Sequence, residues 1–301
     1  MPDEIPSKHK FSMPLIAVLI ALGLCVIFGG NQVASKVALQ AFPPLLCAAF
    51  AFTLSSITLW IYAQVGSIDL QPPSMLVWRL HYMSAVLFIL FNATALIGLK
   101  FTLASRASIF LAIHPFFVVI FNLWAPIRER ITRGQIIGLS LAFVGVLIVF
   151  SERLSPQVGV SWVGDTLILI AAALLGLLIV HIRRVTACVP PIQATLWQMV
   201  LSLPMFWLAT ILFEYPLNIP RFSESWLGIF YMGLAVNAIA FVVRAELFRR
   251  YSANTVSTFL FLTPVIGLVL GHLFLGEPLT RAVGLGAIVV SLGVLIVYRY
   301  T

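Results

Sequence analysis

Charge is what this 301-residue chain has least of: ten aspartates and glutamates, eighteen lysines and arginines, together 9% of the sequence. A soluble domain carries about 25% charged residues, so a water-facing surface cannot be assembled from this composition. No acidic residue falls near the middle of a long apolar run, which argues against a carboxylate proton relay in those runs. A Walker-type glycine loop is absent, and with it an ATP-driven motor. The chain also lacks a Gly-x-Ser-x-Gly elbow, paired aspartates within apolar runs and His-Glu-x-x-His, so an intramembrane enzyme has no nucleophile–base set to use. Cys25, Cys47 and Cys188 are scattered and odd in number, giving neither a disulfide framework nor metal spacing. No cofactor and no metal are expected.

What fills the chain instead is apolar. Such residues make up 61% and the mean hydropathy is +1.07. A bilayer-crossing helix takes about 20 apolar residues, and ten runs of about that size can be marked: 13–34, 44–64, 79–98, 103–124, 134–150, 162–182, 192–213, 226–246, 253–275 and 281–298. The runs are continuous rather than alternating, so they predict helices; in lipid only helices or closed barrels satisfy their own backbone. Short connections carry the breakers, including Pro43-Pro44, Pro72-Pro73 and Pro190-Pro191. Residues 1–12 read as a polar cytoplasmic tail, and the apolar run from Phe11 to Phe28 as a first span rather than a cleaved leader. The net charge of +8 lies at helix ends, where orientation in a membrane requires it, and does not signal nucleic acid.

An internal repeat organises these spans. A shift of 147 residues places Gly29 on Gly176, Pro43-Pro44 on Pro190-Pro191 and Trp60 on Trp207. A shift of 148 places Trp78 on Trp226, Gly138 on Gly286 and Gly145 on Gly293, and 149 places Ser108 on Ser257 and Pro115 on Pro264. Two five-span repeats follow, 13–150 and 161–301, joined by a linker at 151–160. Five is odd, so the second must enter from the opposite side, an inverted arrangement typical of secondary transporters. With the N-terminus on one side, that side collects twelve basic residues and the other six. Both termini are therefore expected in the cytoplasm of a cell (inner) membrane. The fold class read from the sequence is an all-α polytopic membrane protein of about ten transmembrane helices in two inverted repeats.

Several segments resemble the EamA-type permeases of the drug/metabolite transporter superfamily. They are Arg249-Arg250-Tyr251-Ser252-Ala253, the run from Phe261 to Thr280, and the last span with Gly286 and Gly293. The first half carries the matching Lys100-Phe101, Pro115, Glu129-Arg130-Ile131-Thr132, Gly138 and Gly145, and opens with Phe28-Gly29-Gly30-Asn31. The resemblance covers nearly the whole chain. It implies two inverted helical bundles with a substrate cavity between them, and transport of small metabolites, commonly efflux. Three departures stand out: Phe28 where the family often has Trp, Ala51 where an arginine is common, and Arg244 with Glu246 where apolar residues are usual.

Polar groups at membrane depth are costly and tend to be paired or functional. Backbone position puts Asn92, His114, Asn237 and Thr263 near the midplane, and Asn31 and Gln32 toward the outer end of span 1. These six are the candidate substrate-pathway residues. His114 and Thr263 are repeat equivalents, each followed by a proline, Pro115 or Pro264. Proline frees a helix carbonyl, so both are expected as helix kinks, with Gly29 and Gly30 as a third flexible point. Hydrogen bonds between helices are the competing account of these polar residues. The expected partners are a small-molecule substrate and the lipid bilayer, and a homodimer stays open. The leading expectation is a permease, exporting amino acids or derivatives. An organic-phosphate or nucleotide-sugar exchanger of the same fold would want several cations deep between the bundles, and backbone position places none at mid-depth. A non-transporting scaffold or sensor is the remaining alternative.

Overall fold

The computed structural model describes residues 13–101, 110–124, 132–151, 162–217, 219, 221, 224–275 and 281–300. The linker beyond Ser151, and Gln32's side chain, Glu129, Arg130 and Glu277 from the sequence reading, lie outside them. The first half forms α1 (Leu15–Leu39), α2 (Pro44–Val65), α3 (Met75–Phe101), α4 (His114–Trp124) and α5 (Arg133–Ser151). The second forms α6 (Trp162–Thr186), α7 (Pro191–Phe213), α8 (Glu224–Arg250), α9 (Ala253–Phe259), α10 (Leu262–Leu275) and α11 (Arg281–Arg299). No strand occurs among the described residues. Seven helical stretches are long and apolar enough to cross a membrane, α9 and α10 forming one of them, and three shorter apolar helices lie at 114–123, 133–148 and 284–296. Several helices outrun the apolar limits read from sequence. α3 begins at Met75 and α8 ends at Arg250, because backbone hydrogen bonding continues through polar end residues that hydropathy excludes.

Local chemistry explains the helix starts. Pro43 and Pro190 hold extended caps (φ −59°, ψ 149° and φ −57°, ψ 144°), and Pro44 and Pro191 open α2 and α7. A proline tolerates the first helical position because its missing N–H would be unpaired there anyway. α2 gains a further cap from the other half of the chain. The Glu214 carboxylate, just past α7, accepts the amides of Leu45 (2.9 Å) and Leu46 (2.8 Å). A carboxylate at a helix N-terminus is also favoured by the helix dipole.

The main packing runs between the halves, and it is reciprocal. α5 lies along α11, and α2 along α7. α3 packs on α6 while its repeat counterpart α8 packs on α1; α1 packs on α10 while α6 packs on α4. Glycines set the closest approaches. A Cβ on Gly145 would meet the Val290 amide at 2.6 Å and the Gly286 carbonyl at 2.8 Å. The swapped arrangement recurs at Gly293, whose Cβ would meet the Ala142 amide at 2.5 Å and the Gly138 carbonyl at 2.6 Å. Gly29 abuts Ile266 and Gly267, and its repeat mate Gly176 abuts their mates Phe117 and Val118. The periphery is apolar: Val65 is 83% and Phe213 78% exposed, the inverse of a soluble surface and suited to lipid.

Candidate functional site

α1 carries two of the polar candidates, Asn31 and Gln32, and packs against α8 and α10. It runs unbroken through Gly29 and Gly30, and both glycines serve close approach. Gly29 lets α1 sit against α10, where its Cβ would be 2.9 Å from the Gly267 amide. Gly30 leaves room for the Tyr231 hydroxyl, which donates to the Ile27 carbonyl at 3.1 Å. One turn before Phe28, the Cys25 thiol donates to the Phe259 carbonyl at 3.3 Å and interacts with the Thr263 side chain. One turn after it lies Asn31, whose Oδ1 is buried and has no hydrogen-bond partner among the described residues.

Pro115 and Pro264 lie in the first turn of helical segments rather than in mid-helix. The chain leaves the helix at Ala112–Ile113 and again at Leu260–Phe261, then resumes as α4 and α10. Three-residue turns mark both interruptions: the Phe116 amide reaches the Ile113 carbonyl (3.0 Å) and the Thr263 amide the Leu260 carbonyl (3.0 Å). Each proline restarts a helix where its missing N–H is tolerated. His114 stands at the first of these points. Its Nδ1 lies 2.9 Å from the Leu111 carbonyl. A carbonyl can only accept, so Nδ1–H donates, and the neutral ring presents Nε2 as an acceptor. That Nε2 is buried without a partner among the described residues.

Two other sequence candidates are placed differently. Asn92 donates from Nδ2 to the Phe88 carbonyl of its own helix at 2.9 Å, so part of its polarity is satisfied locally. Asn237 is buried within a π-helical stretch of α8, Tyr231–Ala240. Such widened turns are rare and frequently occur at functional sites. In this stretch Gly233 packs on α2, its Cβ position 3.0 Å from the Ala51 carbonyl. Ala51, fully buried there, has no room for an arginine.

Sequence reasoning did not single out Arg244 as a candidate. Its Cα lies seven residues past the middle of α8, about 10 Å along the axis. The side chain, however, leans back toward the helix N-terminus. Its Cζ lies 4.3 Å from the centroid of the Phe241 ring and 5.4 Å from that of Phe28, one residue past the middle of α1. The cation thus reaches depths that backbone position did not assign to it. It is also close enough to act electrostatically on His114. Phe241 continues an aromatic chain to Phe88 (6.2 Å), Phe52 (4.8 Å) and Phe206 (5.0 Å). The departure from apolar character at 244 was visible in the sequence; the direction of the side chain was not.

Comparison with known proteins agrees with this architecture. The sequence profile of the EamA-like transporter family matches twice, over residues 15–151 and 162–299. An uncharacterized transporter of Bacillus subtilis is 27% identical, covering 93% of this chain and 90% of its own length. A Salmonella typhimurium protein named "Probable amino-acid metabolite efflux pump" is 26% identical over 92% of this chain and 93% of its own length. A crystal structure at 18% identity superposes with a TM-score of 0.80, covering 94% of this chain and 96% of that one, which establishes the fold alone. The two matched repeats, the all-helical fold and the apolar spans have one reading: this chain is a multi-pass membrane protein, a transporter rather than an enzyme, and it belongs to the EamA-like transporter family.

Proposed function

We propose that this chain is a secondary transporter that exports small metabolites, amino acids or derivatives among them, by alternating access. Ten spans form two inverted five-helix repeats, with both termini in the cytoplasm of the cell (inner) membrane. The observation that carries this reading is a pair of buried acceptors with no partner among the described residues, His114 Nε2 and Asn31 Oδ1. They stand on α4 and α1, which belong to the reciprocal packing of the halves. An unsatisfied buried acceptor is expensive and is reasonable where a solute donor periodically fills it. Asn237, Thr263, Gln32 and Asn92 are the further pathway residues of this proposal, and the interruptions before Pro115 and Pro264 are where α4 and α10 would bend. The relatives named as efflux pumps support the exporter reading.

The test is an untargeted comparison of metabolites inside and outside cells that lack or overproduce the protein, with reporter fusions at Met1, Thr301 and the 214–224 connection. Export predicts solutes that accumulate inside the deletion strain and outside the overproducer. The ten-span inverted arrangement predicts cytoplasmic signals at both termini and an external one in the connection. Unchanged metabolite profiles would remove the transport reading, and termini on opposite sides would remove the topology.

A further inference from the structure

The charges of α8 divide into a satisfied group and an unsatisfied one. Glu246 is the acid nearest to Arg244 in sequence, and it is already taken: it accepts from Arg249 at 2.9 Å and from Arg250 one helical turn on. Arg244 itself makes neither an ion pair nor a hydrogen bond among the described residues. Its guanidinium faces the Phe28 and Phe241 rings instead. Arginine stacks on aromatic faces while its N–H edge stays free to bind a planar anion through two parallel bonds.

A simpler account is that Arg244 snorkels, with its apolar stem buried and its head in the interface. The geometry argues otherwise. A snorkelling head near the end of α8 would run toward Arg249 and Arg250, whereas this one lies over a ring three residues back and another at the middle of α1. An arginine in a membrane span is rare and usually faces the protein interior or marks an ion or substrate path.

Repeat equivalence sharpens the point. Subtracting 148 from 244 gives Leu96, adding 147 to 28 gives Leu175, and adding 147 to 31 gives Leu178. The other half has no counterpart of this cation, of the Phe28 ring beneath it, or of Asn31 one turn further along α1. A residue needed for packing the two halves would be expected on both sides, as the glycines are.

We propose that the Arg244 guanidinium, held over the adjoining Phe28 and Phe241 rings, is the carboxylate anchor of the solute site. His114 Nε2 and Asn31 Oδ1 are the acceptors for an amino group on the same solute. One guanidinium balances one carboxylate, and the half-buried Phe28 and Phe241 rings beside it suit an apolar side chain. The solute class is therefore a zwitterionic amino acid with an apolar side chain. This rests on the transporter reading above.

The experiment uses the full-length protein in proteoliposomes loaded with defined mixtures: the twenty L-amino acids, the corresponding amino-acid amides, simple monocarboxylates and sugar phosphates. Movement of each solute is read by mass spectrometry against protein-free liposomes. The proposal expects apolar L-amino acids to move and their amides not to. It expects Arg244→Gln to raise the half-saturating concentration at least about tenfold, the loss of a charge-assisted bond, with partial recovery in Arg244→Lys. A wild-type protein that moves nothing overturns the transporter reading and this one together. Amino-acid movement that Arg244→Gln leaves intact overturns the Arg244 assignment alone, as does equal movement of amides or a preference for sugar phosphates. Should Arg244→Gln fail to fold, thermal stabilisation of the wild type decides: apolar L-amino acids must stabilise it and their amides must not.

Discussion

Replacing Gly293 by alanine tests the reciprocal helix packing directly. The added Cβ would lie 2.5 Å from the Ala142 amide nitrogen and 2.6 Å from the Gly138 carbonyl oxygen. Both are backbone atoms, so no rotamer change relieves the overlap. To reach an ordinary separation of 3.4 Å, α5 and α11 must move apart locally by 3.4 − 2.5 = 0.9 Å. A gap of about 0.5–1 Å forfeits a quarter to a half of each dispersion contact it opens, and overpacking generally costs about 1–3 kcal/mol. Gly284→Ala, on the same helix, is the control, because its Cβ would meet nothing within 4 Å. That substitution should gain about 0.5–1 kcal/mol from helix propensity alone. Thermal unfolding of the purified protein in detergent is the assay. Gly293→Ala should melt several degrees below Gly284→Ala, taking about 2–4 °C per kcal/mol. Gly145→Ala should do the same, since it meets Val290 and Gly286 in the mirrored contact. The double variant should lose less than the sum, because one separation of the helices relieves both overlaps. Equal melting of Gly293→Ala, Gly145→Ala and Gly284→Ala would refute the close reciprocal crossing of α5 and α11.

Glu214→Gln keeps one oxygen for the amides of Leu45 and Leu46 but removes the charge and one bond; a loss of about 1–2 kcal/mol in denaturant unfolding is expected, and an unchanged midpoint would show that the cap is idle. Gly30→Ala should destabilise by driving a Cβ into the Tyr231 hydroxyl, and adding Tyr231→Phe should restore part of the loss, since the hydroxyl is the obstructing atom; double-mutant thermal melts with no coupling would sink this reading. His114→Leu removes the free Nε2 acceptor and should weaken transport with the melting temperature retained, while His114→Gln should transport with altered affinity; lower stability in Leu together with normal transport in Gln would make His114 structural.

Much of the scaffold was legible because its signals are one-dimensional. Composition revealed the membrane class, and the double prolines and paired glycines revealed the repeat. Those same glycines are the contact points of α5 with α11 and of α1 with α10. The proposed site was legible only in part. Depth counted along the backbone singled out His114 as a candidate, but it ignored about four side-chain bonds of reach in Arg244, which bring a cation from near the end of α8 to the Phe28 ring of α1. The prolines marked the right places but not the form. A kinked helix and an interrupted one carry the same residues, and only the turns at Ala112–Ile113 and Leu260–Phe261 tell them apart. Trp226, legible in the sequence only as the repeat mate of Trp78, packs edge-on against Phe42 at 4.9 Å, a partner no local pattern indicates.

Symmetry and chemistry are distributed differently in this chain, and that division bears on mechanism. Positions that set helix approach are repeated: Gly145 with Gly293, Gly138 with Gly286, Gly29 with Gly176. Most positions that carry polarity are not: Asn31, Gln32 and Arg244 answer to Leu178, Ile179 and Leu96, while His114 keeps a polar counterpart in Thr263. Reciprocal packing means that exchanging the roles of the two halves produces an arrangement of similar contacts and hence similar energy, which is what a carrier needs to face either side with comparable population. Duplicated polarity would create two equivalent sites, each half-matched to an asymmetric solute. The single asymmetric site proposed above would instead present the same cation and the same acceptors to the solute in both orientations. Selectivity can then change by substitution in one half without disturbing the packing that both halves share.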